Sequence, residues 1–254
     1  MKATVHKYNI GDRELSFTAF SLSSGLADLT SVNKVTGEAW WPCSVLLADY
    51  IQFHYFPEMN KHENENDLSI LELGCGVGLL SAVASAEKGH TRRRIVCTDG
   101  DATVLSIARR EHLQNYIPDN DVPVSFKVLK WGNEMEMNSV REEGGGENFD
   151  LIVASDIFYA APEETAIAFV DTVDTLLRRK GDNDKKEKVQ PKCIIAFQQR
   201  NIDMTILYKA FTKKGFSSSV PQGDEVFEDI FGERSDEKTM FSNLFLVSFT
   251  RNII

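Results

Sequence analysis

The sequence predicts an α/β fold, a mainly parallel sheet covered by helices on both faces and preceded by an N-terminal β-hairpin. From residue 68 onward, short apolar runs alternate with helical patterns, the signature of βαβ units and parallel pairing. One run, Leu68-Ser-Ile-Leu-Glu-Leu73, ends in the alternating glycines Gly74, Gly76 and Gly78 and passes at once into a small-residue helical stretch at 81–88. Residues 5–22 alternate polar and apolar on both sides of Gly11-Asp12, which reads as a hairpin. The 254 residues suit a single domain, with 1–35 as the hairpin extension and 36–254 as a Rossmann-like core.

In chain order, the hairpin is followed by Thr36-Gly-Glu-Ala-Trp-Trp-Pro42 and a helix through Leu46, Leu47, Tyr50 and Ile51, for which Ser44 is a candidate cap. The Trp40-Trp41 pair is either core packing or a wall of a binding site. Residues 57–67 read as a polar loop into the glycine strand, and Gly89 as the stop of the helix after it. Arg92-Arg-Arg94, a solvated loop in this reading, precedes a strand at 95–98 closed by Asp99. A helix over 102–115 and a strand over 124–129 follow, leading to Lys130-Trp131-Gly132; the acidic stretch 133–148 reads as a flexible loop.

The strand at 149–154 ends in Ser155-Asp-Ile-Phe-Tyr159. A helix then starts at Pro162-Glu-Glu164 and stops at Gly181, with Ile167, Val170, Val173, Leu176 and Leu177 as its buried face. After a solvated insertion at 182–190 come a strand at 193–197, a helix at 204–214 and a final strand at 244–250. Gln198, Gln199 and Arg200 are either surface residues or substrate contacts.

Composition narrows the function classes. A net charge of −10 and a pI near 5.1 give no general attraction to phosphate backbones, so nucleic acid is disfavoured as a partner and a protein favoured. No apolar run reaches the ~20 residues a membrane span needs, and the first twenty residues lack a signal-peptide core. Cys43, Cys75, Cys97 and Cys193 are scattered, without metal-ligand spacing. These features imply a cytoplasmic protein without a metal; a monomer is the expectation, nuclear entry and oligomeric state being left open.

Glycines after a strand allow φ values that other residues avoid and let a ligand approach the backbone. Alone they fit either a nucleotide-like cofactor or a βα loop of another α/β protein. A dinucleotide site needs a small residue where this chain has Leu79, and no Gly-Lys-Ser/Thr of a P-loop follows. The pattern here is Glu72-x-Gly74-x-Gly76-x-Gly78, and Asp99, ending the next strand, can accept from both ribose hydroxyls. S-adenosylmethionine is therefore favoured over NAD.

Thr36-Gly-Glu-Ala-Trp-Trp-Pro42, Leu46-Leu-Ala-Asp-Tyr50, Leu71-Glu-Leu-Gly-Cys-Gly-Val-Gly-Leu79, Thr98-Asp99, Leu129-Lys-Trp-Gly132 and Ser155-Asp-Ile-Phe-Tyr159 together resemble the seven-β-strand protein-lysine methyltransferases of the methyltransferase-like group. The resemblance spans about residues 5–250 and rests on order and spacing, each motif being weak alone. It implies the class I S-adenosylmethionine-dependent methyltransferase fold, with an N-terminal hairpin and an antiparallel last strand in a seven-stranded sheet. It also implies a lysine of a protein substrate as acceptor.

Carried over by residue, the resemblance implies that Trp41 borders the cofactor and that the motif Glu72, Gly74, Cys75 and Gly76 binds it, the two glycines under its methionine part. Asp99 would sit on the ribose, with Trp131 and Ser155 beside the adenine and sulfonium. Asp156 and Tyr159 match the Asp-x-x-Tyr motif at the lysine channel and are the expected catalytic pair; Asp156 could instead cap a helix. Glu111 departs from the family, where Asn is common. Ile157 and Phe158 replace the two prolines of an adenine-methylating turn, which disfavours a nucleic-acid acceptor. A small-molecule N-methyltransferase and a non-catalytic scaffold remain as alternatives.

Overall fold

A computed structural model describes residues 3–21, 36–60, 68–89, 93–158, 163–179, 190–198, 204–220 and 244–252. The N-terminal hairpin is β1 (Ala3–Ile10) and β2 (Arg13–Ser21), turning at Gly11 with φ 54°. A two-residue strand, β3 (Ala39–Trp40), pairs parallel with β2 and makes this a three-stranded sheet. The second sheet holds β4 (Leu68–Leu73), β5 (Arg93–Asp99), β6 (Val124–Val128), β7 (Leu151–Ser155), β8 (Lys192–Gln198), β9 (Phe216–Ser219) and β10 (Leu244–Arg251).

Its order is β6-β5-β4-β7-β8-β10-β9, and β10 runs antiparallel to both neighbours. The expected mostly parallel, seven-stranded sheet with a reversed last strand is thus observed. The chain winds outward from β4 to β6 and then returns to β7 on the other side of β4. That reversal is the switch point, where the carboxyl ends of neighbouring strands diverge and leave a crevice.

Strand alternation sends side chains to two apolar layers. In β8, Ile194 and Ala196 join the layer of α1 (Pro42–Tyr50), α2 (Phe56–Asn60), α3 (Leu79–Ala86) and the hairpin, while Cys193, Ile195 and Phe197 face the opposite layer. The opposite layer is built on α5 (Glu134–Glu143), α6 (Glu163–Leu176) and α7 (Thr205–Lys213). There Phe211 stacks on Phe249 at 3.8 Å and meets Phe169 edge-on. The hairpin docks on α4 (Ala102–Asn115) and the turn after it through polar ends: Glu111 accepts from the Thr18 N–H (2.8 Å), Asn115 bridges both main-chain groups of Ser16, and Arg13 pairs with Asp121, beyond the helix, at 2.5 Å.

Several expectations are corrected. Residues 134–143 of the supposed acidic loop are helical, because Asn133 caps the Glu136 N–H, Glu134 and Glu136 sit at the positive end of the helix dipole, and Met137 and Val140 are buried. Arg93 is not in a solvated loop. It lies buried in β5, donates to the carbonyls of Ala84 and Glu87 at the end of α3, and covers the Phe56 ring. That helix ends at Ala86, before Gly89, and 57–60, expected as the start of a loop, belong to a helix that begins at Phe56. Ile167 is exposed, the buried face of α6 running through Ala166, Phe169, Val170 and Val173. Ser44 does not cap α1, which begins at Trp41 with Pro42 in its first turn. The short edge strand β9 was not anticipated as an element. Pro162, Gly181 and most of the 182–190 insertion lie outside the described residues.

Candidate active site

The turn after β4 is built from left-handed residues. Gly74, Gly76 and Gly78 have φ of 68°, 54° and 79°, a region where an L side chain meets the backbone. Space forbids a side chain at Gly74 as well, since a Cβ there would stand 2.8 Å from Cγ2 of Ile157. The loop is tied to the next strand by the Cys75 N–H donating to Thr98 O (2.9 Å), and folded on itself by Gly78 N–H to Cys75 O (2.8 Å). On its open side lies a cavity of about 570 Å³, within the range of small-molecule sites.

Asp99 ends β5 at the rim of this cavity. One carboxylate oxygen accepts from the Gly76 N–H (3.3 Å) and the other from the Asp101 N–H (3.0 Å). Burial raises its pKa, while these N–H groups hold it down. The carboxylate offers about four lone-pair positions, so further acceptor capacity is left for a ligand. Trp131, on the turn after β6, lines the same cavity and meets Phe169 edge-on at 5.1 Å. Its turn is anchored by Gly132 N–H to Thr172 Oγ1 (2.9 Å) and by Lys130 N–H to Glu136 (2.6 Å).

Across the cavity, β3 carries the chain into Trp41, which is buried and lines the wall. Ser44, one turn into α1, shares a hydrogen bond of 2.9 Å with Ser155 at the end of β7. Asp156 follows with φ 50°, its N–H donating to Ala196 O (2.8 Å). Its side chain is 4% exposed and lines the cavity. The αL conformation, tolerated by Asp better than by most residues, turns the chain out of the sheet at the switch point.

Eight of the residues expected at the site therefore meet in one cavity: Trp41, Gly74, Cys75, Gly76, Asp99, Trp131, Ser155 and Asp156. Glu72 does not reach it. This side chain is 2% exposed and lies behind the loop, accepting from the Ser81 N–H (2.9 Å) and the Ser81 hydroxyl. Burial raises its pKa to about 7, against the hydrogen bonds from Ser81 and Cys97. Tyr159 lies outside the described residues.

Sequence reasoning missed Gly37, Ser44 and Glu164, all on the cavity wall. Gly37 had a readable signal in its motif. A Cβ there would stand 2.3 Å from Cγ2 of Val104, and its carbonyl lies over Gly76, 3.4 Å from where a Cβ would be. Among the described lining residues, the carboxylates of Asp99, Asp101, Asp156 and Glu164 face one ammonium, Lys130, which suits a cationic ligand.

The family model of lysine methyltransferases matches residues 26–211. The chain belongs to the lysine methyltransferase family. It is 29% identical over 209 residues to the protein-lysine methyltransferase METTL21E of Bos taurus, covering 75% of this chain and 66% of that protein. It is 24% identical over 138 residues to the protein-lysine N-methyltransferase EFM3 of Saccharomyces cerevisiae, covering 52% of this chain and 38% of that protein. The chain thus spans less than two thirds of the length of either relative. Among solved structures, the CurJ carbon methyltransferase superposes with a TM-score of 0.51 at 12% identity, over 78% of this chain and 52% of that one, a likeness of fold. No helix among the described residues is long and apolar enough to cross a membrane.

Proposed function

We propose that the chain transfers a methyl group from S-adenosylmethionine to the side-chain amine of a lysine in a protein substrate. The observation that carries this reading is the convergence on one cavity of the left-handed glycine loop, the Asp99 carboxylate and the Asp156 carboxylate. Family membership supports lysine as the acceptor, as do the names of the bovine and yeast relatives. The residues fit the cofactor: a loop with no Cβ at Gly74 and Gly76, an acceptor for ribose hydroxyls, and aromatic walls.

In this reading the backbone of Gly74, Cys75 and Gly76 lies beneath the methionine part, Asp99 accepts from the ribose, and Trp41, Trp131 and Ser155 flank the adenine and sulfonium. Glu72 acts from behind, holding the loop against α3. When bound, S-adenosylmethionine supplies a methyl group on a cationic sulfur, open to in-line attack by a neutral amine.

The lysine must therefore lose a proton first, which from pKa ~10.4 to pH 7 costs about 4 to 5 kcal/mol. A carboxylate alone would favour the ammonium, so the assigned work of Asp156 is to draw the side chain in and aim it. Desolvation between Ile157 and Trp131 favours the neutral amine, and water accepts the proton. Tyr159 is assigned as the second hydrogen-bonding partner of the amine. Four free, buried thiols support a reducing compartment, the cytoplasm, as its place of action.

The test is transfer of radiolabelled methyl from S-adenosylmethionine to a cell extract by the 254-residue protein. Label that is removed by protease, survives nuclease and is recovered as methyllysine after hydrolysis supports the reading. Label in nucleic acid or in another amino acid overturns it. Cofactor binding by calorimetry without transfer would make the protein a scaffold.

A further inference from the structure

We infer that the hydroxyl of Ser44 binds the α-carboxylate at the amino-acid end of S-adenosylmethionine, with Ser155 behind it as a positioning residue, a step that rests on the methyl-transfer reading. The strand register sets the direction in which the cofactor lies. Leu73 pairs with Thr98 on one side and with Ala154 on the other, so Asp99, Gly74 and Ser155 follow side by side across the strand ends. Neighbouring strands are ~4.8 Å apart, which puts Asp99 and Ser155 about 10 Å from each other across Gly74. A ribose held at Asp99, with the methionine part over the glycines, directs the far end of the cofactor to the Ser155 side.

That end is an amino acid, and its carboxylate needs a donor there. Among the described lining residues the one ammonium, Lys130, is on the wrong side: it follows β6, beyond β5, and packs beside Gly100. Asp156 is itself a carboxylate and repels another. The donors on the Ser155 side are hydroxyls. Ser44 and Ser155 both line the cavity, and their oxygens are 2.9 Å apart. Each hydroxyl brings one proton, their mutual bond uses one, and the pair keeps one to give.

The surroundings decide which serine gives it. Ser155 adjoins Asp156, where an anion is repelled. Ser44 is in the first turn of α1, which starts at Trp41 with no side-chain cap, so the positive end of the helix dipole opens on the cavity and favours an anion. The Ser44 N–H is spent on Trp41 O (3.0 Å), which leaves the hydroxyl as the donor of this residue. Ser155 thus donates to Ser44 and Ser44 to the carboxylate, the first bond polarising the second.

Calorimetry on the full chain isolates the contact with S-adenosylmethionine, its decarboxylated form, which keeps the sulfonium and the ammonium, and 5′-methylthioadenosine, which lacks the amino-acid end. The wild type should bind S-adenosylmethionine at least about tenfold more tightly than the decarboxylated form, the size expected of a hydrogen bond to a charged group. Ser44→Ala should erase most of that preference, and Ser155→Ala should reduce it by about two- to threefold through lost polarisation. Both variants should bind 5′-methylthioadenosine as the wild type does. Equal weakening toward all the ligands would make Ser44 a strut between α1 and β7 and overturn the inference. So would an unchanged preference in Ser44→Ala, or its loss in Lys130→Ala, which would reverse the cofactor in the cavity. Binding of none of the ligands by the wild type would overturn the cofactor reading as well.

Discussion

Glu72→Gln separates a residue that supports the cofactor loop from one that touches the cofactor. The Glu72 carboxyl is buried behind the loop with its pKa raised to about 7, from about 4.5 in an unfolded chain, chiefly by desolvation. The folded state therefore holds the proton more tightly. The stability this gives is fully present below pH ~4.5, falls as pH rises, and is lost above ~7. At 1.36 kcal/mol per pKa unit, about 3 kcal/mol disappears across that window. Glutamine keeps an acceptor for the Ser81 N–H and hydroxyl but does not titrate. At pH 5 the variant should melt close to wild type. At pH 8 it should be more stable by up to about 3 kcal/mol, or roughly 6–12 °C for a chain of this size. Thermal melts at the two pH values, followed by calorimetry with S-adenosylmethionine, measure both consequences. A shift independent of pH would refute the buried neutral carboxyl. A large loss of cofactor affinity would refute its place outside the cavity.

Asp99→Ala removes the acceptor proposed for the ribose hydroxyls and should weaken cofactor binding by about 10- to 100-fold in calorimetry, from ~1.5–3 kcal/mol for hydrogen bonds to a charged group. Because burial raises the pKa of Asp99, wild-type affinity should decline on acidification at a pH above the ordinary carboxylate range. Gly74→Ala, at φ 68° and with Ile157 in the way, should lose about 1–2 kcal/mol from backbone strain alone and bind cofactor poorly; a normal melt with normal affinity would contradict the loop geometry. Asp156→Asn keeps a residue that tolerates the αL conformation, and should abolish methyl transfer with cofactor affinity near normal; unchanged turnover would sink its assignment. Glu111→Ala leaves the Thr18 N–H without its acceptor, so it should cost about 1–3 kcal/mol and speed amide exchange in β2.

Strands whose neighbours are helices announce themselves by composition, which is why β4, β5, β6, β7, β8 and β10 and the switch point were readable. The helix over 134–143 was not, because its glutamates resemble a solvated tail; its signals are one asparagine cap and two apolar residues three apart, Met137 and Val140. Arg93 misled in a similar way, since a run of three arginines gives no hint that the middle one closes the carbonyl end of α3. Within the site, motif residues at strand ends were legible because topology alone brings strand ends together. Side-chain direction was not: Glu72 shares its motif with Gly74 but points to Ser81, a partner nine positions away in sequence. The Ser44–Ser155 pair joins two elements whose approach only the folded chain defines.

The N-terminal sheet has a larger part in the cavity than its position in the sequence suggests. β3 pairs with β2, Phe20 opposite Ala39 and Ser21 opposite Trp40, so the direction in which the chain enters α1 is set by the hairpin. Gly37, Ala39 and Trp41 then form one wall of the cavity, with the Gly37 carbonyl lying over Gly76. The hairpin is held in place from the other side by α4, through Glu111 and Asn115, and by the Arg13–Asp121 pair in the turn that follows that helix. The same helix presses Val104 against Gly37 and Ala108 close to Gly78. Helix α4 thus sets the spacing between the glycine loop and the wall opposite it. Glu111 belongs to that brace, accepting from the Thr18 N–H of the hairpin, so its carboxylate acts on how the wall is held.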